Sequence, residues 1–413
     1  MTDLHVRDPM WRGDDPARTR SLSDDVLHLI WRERRISRAD IARRTALSRS
    51  TVSEIVGYLL TTNLVSEAGV GASRGGRRPI VLEFQDDAGA ILGVDMGATH
   101  IAVTLTNLRG KVLAWEHQHH PVREDPAGTG LLIASLCNRA LAAWGGPRKI
   151  LVGIGVAVPS PVDPRHPELL SPLVLPRWQG QPGLDRLGEE FGVPVLVDND
   201  ANLGALAEQW WGAGRGIDDF AYIKVATGIG SGHIINGRIY RGSTGVVGEI
   251  GHITIDPRGE LCVCGNRGCL TTLVGTQALI ARARQLARRF PASTLAGTTP
   301  TVAMIEDAAM AADPLALRLV DEAAENLGIA VAGMLNLMNP AAVIIGAGLS
   351  RLGEQLLEPM RDTVARRTFV SSVSASQIRT SELGPRGIAI GAATLVLDAA
   401  LADPSLFPTV AAR

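Results

Sequence analysis

Apolar positions recur every three or four places between residues 22 and 60, and then begin to alternate. In "SLSDDVLHLIWRERR" Leu22, Val26, Leu29 and Ile30 share one helical face, with Ser23 as the expected N-cap. "SRADIARRTAL" predicts a second helix, with Ser37 as its cap and Asp40 three residues on, in the manner of a capping box. Ser48 opens a third helix whose inward stripe is Val52, Ile55, Val56, Leu59 and Leu60. "LVSEAGVGASRGGRRPIVLEF" then reads as two strands around a tip rich in glycine and arginine.

The break at Ala46-Leu47-Ser48 is as short as a helix-turn-helix requires, so residues 21–84 are expected to form a winged helix-turn-helix, preceded by a disordered arm over 1–20. Arg49, Ser50, Thr51 and Ser53 then face outward at the start of the third helix, the positions that reach base edges in a major groove. Arg74, Arg77 and Arg78 sit among glycines at the wing tip, suited to phosphates or a minor groove. Charge agrees in sign. Residues 1–84 carry 14 Arg against 11 acidic residues, while the whole chain is net −1. A basic head on an acidic body suits double-stranded DNA as a partner.

From residue 89 the pattern becomes strand, glycine turn, strand. "AILGVDMGATHIAVTLTNLRGKVLA" is answered about 130 residues later by "FAYIKVATGIGSGHIINGRIY" on the same plan. Two such hairpins facing each other across a cleft can offer backbone N–H groups to phosphates, through Gly97 and Thr99 on one side and Thr227, Gly228 and Gly230 on the other. "NPAAVIIGAGLS" supplies a third piece, a buried strand running into a turn at Gly346 and Gly348, which in a two-lobed nucleotide-binding fold lies by the adenosine. The pair favours an α/β, two-lobed, actin-like fold: a first lobe over 89–200, a second over 201–400, and a C-terminal helix free to return to the first. Between the hairpins, "VPVLVDNDANLGALAEQWWGAG" puts Asn199 and Asp200 at a strand-to-helix corner, where a carboxylate can take a proton from a sugar hydroxyl or merely cap the helix. Trp210-Trp211 are expected to pack where that helix meets the lobe below.

Composition adds limits. The chain has 413 residues, 46% hydrophobic and 20% charged, enough for two or three domains with cores of their own. No export signal and no apolar run of transmembrane length are read, so the expected compartment is the cytoplasm, with no membrane partner. Three of the four cysteines fall within "GHITIDPRGELCVCGNRGC". Cys262, Cys264 and Cys269 surround a tight loop, and His252 can add a fourth ligand. Cys3His is a closed set typical of structural zinc; a redox-active thiol trio is the rival reading. Cys137 reads as core, and the three histidines of "EHQHHP" have no cage of further ligands around them.

These residues converge on a resemblance. "GEIGHITIDPRGELCVCGNRGC" resembles the zinc motif of the ROK family (repressors, open reading frames and sugar kinases), and "GVDMGATHI", "GVAVPSPVD", "VDNDANLGALAE", "VATGIGSG" and "VIIGAGLS" follow in the family's order. The added winged helix-turn-helix resembles the repressor branch. The resemblance implies a sugar pocket using Asn199, Asp200, Glu249 and His252, with Asp200 as the base in a kinase, and with His252 on zinc through one ring nitrogen and facing the sugar with the other. It also exposes departures. Thr271 stands where the family has a glutamate, Val174 where it often has asparagine, and Arg177 where it has glycine; Ala98 and Ala226 add methyl groups to the two phosphate turns. The expected protein is a repressor that acts as a homodimer or homotetramer on a palindromic operator and senses a sugar or sugar derivative. The alternatives are an ATP-dependent sugar kinase with a DNA-binding head, and a regulator controlled by a protein partner.

Overall fold

The computed structural model describes residues 21–70, 79–163, 165–166, 170–172, 174–178, 184–369 and 378–408. The head runs α1 (Leu22–Glu33), β1 (Arg35–Ser37), α2 (Arg38–Thr45), α3 (Arg49–Thr61), β2 (Val65–Val70) and β3 (Ile80–Phe84), with the sheet ordered β1-β3-β2. Ser21, not Ser23, caps α1. Its hydroxyl accepts the Asp24 N–H at 3.3 Å while the Asp24 carboxylate takes the Ser21 N–H at 3.0 Å. Only a cap at 21 leaves an acid at the third helical position to close the box. The apolar period also misses β1, since three residues are too short to show alternation. Its Ile36 pairs with Leu82.

Each lobe of the body holds a five-stranded sheet of the same order. The first is β6-β5-β4-β7-β8, from β4 (Ala90–Met96), β5 (His100–Asn107), β6 (Val112–His119), β7 (Leu151–Val158) and β8 (Val195–Asn199). The second is β11-β10-β9-β12-β13, from β9 (Phe220–Val225), β10 (Ile229–Ile235), β11 (Arg238–Ile239), β12 (Ala342–Ala347) and β13 (Ile378–Thr380). Both have an antiparallel hairpin and two parallel strands added at the other edge, so the duplicated pattern in the sequence is a duplicated topology. The outer helices are α4 (Pro126–Trp144) and α5 (Asp185–Phe191) in the first lobe, with α7 (Thr271–Val274), α8 (Thr276–Leu286), α9 (Val302–Met310), α10 (Pro314–Met338) and α11 (Glu354–Arg367) in the second.

Two helices lie between the sheets. α6 (Asp200–Trp211) packs on β9 and β10, and on the C-terminal helix Gly387–Ala402, which itself packs on β4 and β7. That last helix thus belongs with the first lobe. The approach is close enough that a Cβ at Gly155 would overlap the Ala392 carbonyl, and one at Gly391 the Leu203 carbonyl. The segment Gly384–Ala402 is long and apolar enough to cross a membrane by length and composition, contrary to the sequence expectation. Its most apolar window is 72% buried inside the protein, because a helix sandwiched between two sheets is apolar all round.

The head shares a core with the first lobe. Val26, Ile30, Val56 and Phe84 belong to one buried cluster with Leu108, Val396, Leu401 and Phe407. Trp210 and Trp211 pack against the head's Trp31, not simply on the lobe below: the Trp31 ring centroid is 5.1 Å from that of Trp210 and 6.4 Å from that of Trp211. Cys137 is fully buried, as a core residue.

Candidate functional site

The carboxyl ends of β4, β7 and β8 and of β9 and β12 face the same interlobe cleft, the usual location of a ligand in open α/β sheets. β8 ends at Asn199 and α6 begins at Asp200. The Asn199 carbonyl oxygen accepts the N–H groups of Ala201 (2.9 Å) and Asn202 (3.2 Å), and its amide donates to the Ser160 carbonyl at 3.1 Å. Asn199 is therefore the helix cap, with its oxygen spent and one amide hydrogen left over. Asp200 is buried and ion-paired with Lys224. Burial pushes its carboxyl upward from the ordinary range, against the pull of the ammonium. One strand residue earlier, Asp198 is buried against Arg241 and accepts the Asn202 amide at 3.1 Å.

Lys224 escaped the sequence reading. Its signal is a lone charge in the otherwise apolar strand "FAYIKV", since a buried ammonium requires a partner. The register puts Gly230 and Gly346 opposite it on the two neighbouring strands, which leaves the lysine uncrowded by side chains from either. Both glycines were expected to serve a nucleotide. A Cβ at Gly346 would overlap the Tyr222 hydroxyl.

On the second lobe, Glu249 precedes a short turn carrying His252. His252 Nε2 lies 3.7 Å from the Glu249 carboxylate, and Nδ1 lies 3.4 Å from Cys262 Sγ. Cys264 Sγ is 3.6 Å from Cys269 Sγ. One ligand atom from each of His252, Cys262, Cys264 and Cys269 falls within 4.8 Å of all the others. Four donors about 2.0–2.3 Å from a central ion would be separated by roughly 3.5–3.8 Å, so the two measured edges fit a tetrahedral metal. This cluster could hold a metal ion. Bridges Thr254↔Cys269 and Leu261↔Arg267 pin the loop, and Gly265 and Gly268 turn it with φ of 91° and 61°. Thr271 Oγ1 receives the Ile229 N–H at 3.4 Å, so its hydroxyl faces the second hairpin. Asp200 and Lys224 lie close enough to act electrostatically on Glu249. The four expected sugar residues thus border one cleft.

At the first hairpin turn, His100 lies over Gly97, where any Cβ would overlap its ring, and His100 Nε2 is 3.3 Å from Asp95. Burial pulls the His100 imidazole down, and Asp95 more than offsets this, so that it stays above its ordinary value. His100 stacks on His117 with centroids 5.4 Å apart. A cavity of about 520 Å³ opens beside Thr99 and Thr227, with the end of "EHQHHP" as its far wall. Gly348 lies at the end of β12, its N–H spent on the Val225 carbonyl at 2.7 Å.

In the head, Ser48 caps α3 by accepting the Thr51 N–H at 3.1 Å, and its hydroxyl lies 2.8 Å from those of Ser50 and Thr51. Arg49, Ser50 and Ser53 are exposed and Thr51 half-buried, and Ser53 donates back to the Arg49 carbonyl at 2.9 Å. Arg74, Arg77 and Arg78 lie outside the described residues.

Comparison with known proteins adds relatives of two kinds. A family model described as "ROK family" matches residues 91–399. The chain is 33% identical over 386 residues to "Xylose repressor" of Caldicellulosiruptor bescii, covering 92% of this chain and 96% of that one. It is 32% identical over 369 residues to "DNA-binding transcriptional dual regulator NagC" of Escherichia coli, covering 89% of each. A "Glucokinase" of Halalkalibacterium halodurans is 33% identical over 314 residues, 74% of this chain and 94% of that one. Among solved structures, a ROK family glucokinase from Streptomyces griseus in complex with glucose and AMPPNP superposes with TM-score 0.67 at 31% identity, covering 74% of this chain and 99% of that one. A ROK family transcriptional regulator described as a homolog of E. coli MLC protein superposes with TM-score 0.76 at 24% identity, covering 95% and 98%. A match over 92% of the chain must include most of residues 21–84; one over 74% need not.

Proposed function

The chain belongs to the ROK family, and from that premise we propose that it is a cytoplasmic transcriptional repressor whose interlobe cleft senses a sugar or sugar derivative. The observation that carries this reading is that similarity to named repressors runs through the head as well as the body. In the head, α3 offers Arg49, Ser50, Thr51 and Ser53 to base edges, and the wing arginines Arg74, Arg77 and Arg78 are assigned to phosphates. A dimer would place two such helices in successive major grooves of a palindrome, with half-site centres about 10 base pairs or a multiple apart.

In the cleft, ligand hydroxyls would meet the Asp200 carboxylate, the remaining Asn199 amide hydrogen, Glu249 and His252 Nε2. Zinc is the metal that the Cys3His donor set suits; bound, it would close the loop and leave no coordination position open for an activated water. Its place in the function would be to hold the His252 ring toward Glu249, as a ligand's far nitrogen is held elsewhere by a neighbouring carboxylate.

A kinase reading also draws on an observation, since Asp200 stands where a base is needed and named glucokinases match the body. Lys224 counts against it. Its ammonium occupies the carboxylate that must receive the hydroxyl proton, and the added methyls of Ala98 and Ala226 crowd turns where backbone should approach phosphate.

The deciding experiment measures operator binding by the full-length chain on its own upstream DNA, with and without a panel of sugars and sugar phosphates. Release by one ligand is the expected result. Sugar-dependent ATP turnover of about one per second, abolished by Asp200→Ala, would establish the kinase instead.

A further inference from the structure

We propose that Glu54 reads a cytosine of the operator in the major groove, and that Gly57 beside it is the gap that seats α3 there; this rests on the repressor reading above and names a base which that reading leaves open. At about 100° per residue, the buried stripe of Val52, Ile55, Val56 and Leu59 is opposed on the helix by Ser50, Glu54, Gly57 and Thr61. Arg49 and Thr51 fall at the two edges of that outward face, and Thr51 is half-buried accordingly. The centre of the face that would meet DNA therefore carries a carboxylate and a glycine. Neither belongs to the set that the sequence pattern singles out.

Glu54 stands apart from the other acidic residues of the head. Glu33 pairs with Arg44, Asp40 with Arg43, Glu67 with Arg38 and Glu83 with Arg35, while Asp24 and Asp25 are engaged as well. Among the described residues the exposed Glu54 side chain has no hydrogen-bond or ion-pair partner, and neither has the Arg49 guanidinium. The serines beside them are already engaged: Ser53 donates to the Arg49 carbonyl at 2.9 Å, and Ser50 is bonded to the Ser48 hydroxyl at 2.8 Å. An unpaired carboxylate on the face that a polyanion must approach repels phosphate, and a donor on a base edge offsets that. In the major groove the cytosine N4 amino group is the donor that a carboxylate accepts from; the amino group of adenine stands beside that base's own N7 acceptor, which repels a carboxylate. Arg49 takes guanine by the same code. About 7.5 Å of helix separates the two residues, roughly two base steps.

Gly57 has no reason within the fold. An added Cβ there would meet nothing within 4 Å, and its φ is not in the left-handed region, so neither packing nor backbone conformation asks for glycine. In the interior of an exposed helix it is a weaker choice than alanine. Close approach from outside the chain does ask for it. A glycine in the same row as Glu54 lets the helix sink far enough for a side chain as short as glutamate to reach a base edge. Tyr58, 49% exposed, borders the gap.

The test is selection of bound duplexes from a randomised library by the full-length chain and its variants, followed by titration of the best duplex and of single-base changes in it. The unmodified chain should select a palindrome with a cytosine at one fixed position of each half-site, and replacing that base should cost at least about fivefold in affinity. Glu54→Ala should lose the preference at that position alone, and should bind random-sequence DNA at least as tightly as the unmodified chain, because a negative charge has left the interface. Glu54→Gln should move the preference from cytosine to adenine, the base that a carboxamide reads. Gly57→Ala should raise the melting temperature yet weaken operator binding several-fold. A palindrome selected unchanged by Glu54→Ala would overturn the cytosine contact and leave the repressor reading standing. Preferences lost at every position together, with a lowered melting temperature, would make Glu54 structural and overturn it too. Undiminished operator binding by Gly57→Ala would overturn the seating. If the unmodified chain selects no sequence at all, the repressor reading falls, and this inference with it.

Discussion

Lys224 and Asp200 carry opposite charges out of water together, in contact, at the point where the two lobes meet. Removing one partner of such a pair leaves the other unpaired and buried. Lys224→Met should therefore destabilise the protein by about 3–5 kcal/mol in denaturant unfolding, while the double variant Lys224→Met/Asp200→Asn should lose clearly less than the sum of the two single changes. Additive losses would mean that the pair is not coupled. The metal residues give a second prediction at this scale. Cys264→Ser should lose one zinc per chain by elemental analysis and weaken ligand binding several-fold, because His252 would lose its anchor. Zinc retained at full stoichiometry in Cys264→Ser would exclude this ligand set. The two sites differed in how far the sequence exposed them. Cysteines close together in a chain poor in cysteine announce themselves, and the geometry around His252 follows. A single lysine in a strand does not, because nothing local tells which of several carboxylates it will meet after folding.

Helix α3 shows the same contrast one scale up. Its cap, its stripe and its exposed N-terminus were all legible, because capping and amphipathic period are local. The start of α1 was off by two residues, since two serines stood in range and only the reciprocal bond with Asp24 selects Ser21. β1 could not be read, because its reason for being a strand is its partner β3, more than 40 residues away. Nor could the role of Asn199 as the α6 cap be separated from a ligand role, since one amide side chain can serve both in sequence and only the folded corner shows its oxygen spent. The α3 cap can be tested alone. Ser48→Ala should cost about 1 kcal/mol of stability and fray the end of the helix that carries Arg49, so operator affinity should fall while ligand affinity in the body stays unchanged. Unaltered operator binding at unchanged salt would argue against α3 as the reading helix.

For the whole molecule, the duplicated hairpins predicted the two lobes, but nothing in the apolar pattern revealed how the head is joined to them. The joint is aromatic. The Trp31 indole donates to the Leu108 carbonyl at 3.0 Å, and the Arg109 guanidinium lies 4.5 Å over its ring while donating to the Trp31 carbonyl at 2.9 Å. Trp210 and Trp211 close the other side, and Trp211 is tied to Thr394 of the C-terminal helix at 2.8 Å. Those two tryptophans end α6, whose first residue is Asp200. One rigid helix of 12 residues, about 18 Å long, thus has its N-terminus at the interlobe cleft and its C-terminus against the head. A ligand that binds two arrangements of the lobes unequally would shift α6, and the head would feel it at Trp31. Trp31→Ala and Trp211→Ala should each leave ligand affinity within about twofold in the absence of DNA, yet shrink the ratio of operator affinities without and with ligand by about 5-fold or more, the size of a typical coupling energy. Linkage demands the converse: the effect of operator DNA on ligand affinity must shrink by the same factor. Trp31→Phe, which keeps an aromatic ring but not the indole N–H donor, should fall between. If both alanine variants release the operator as the unmodified chain does, the head is moved by the shared core of the first lobe and not by α6.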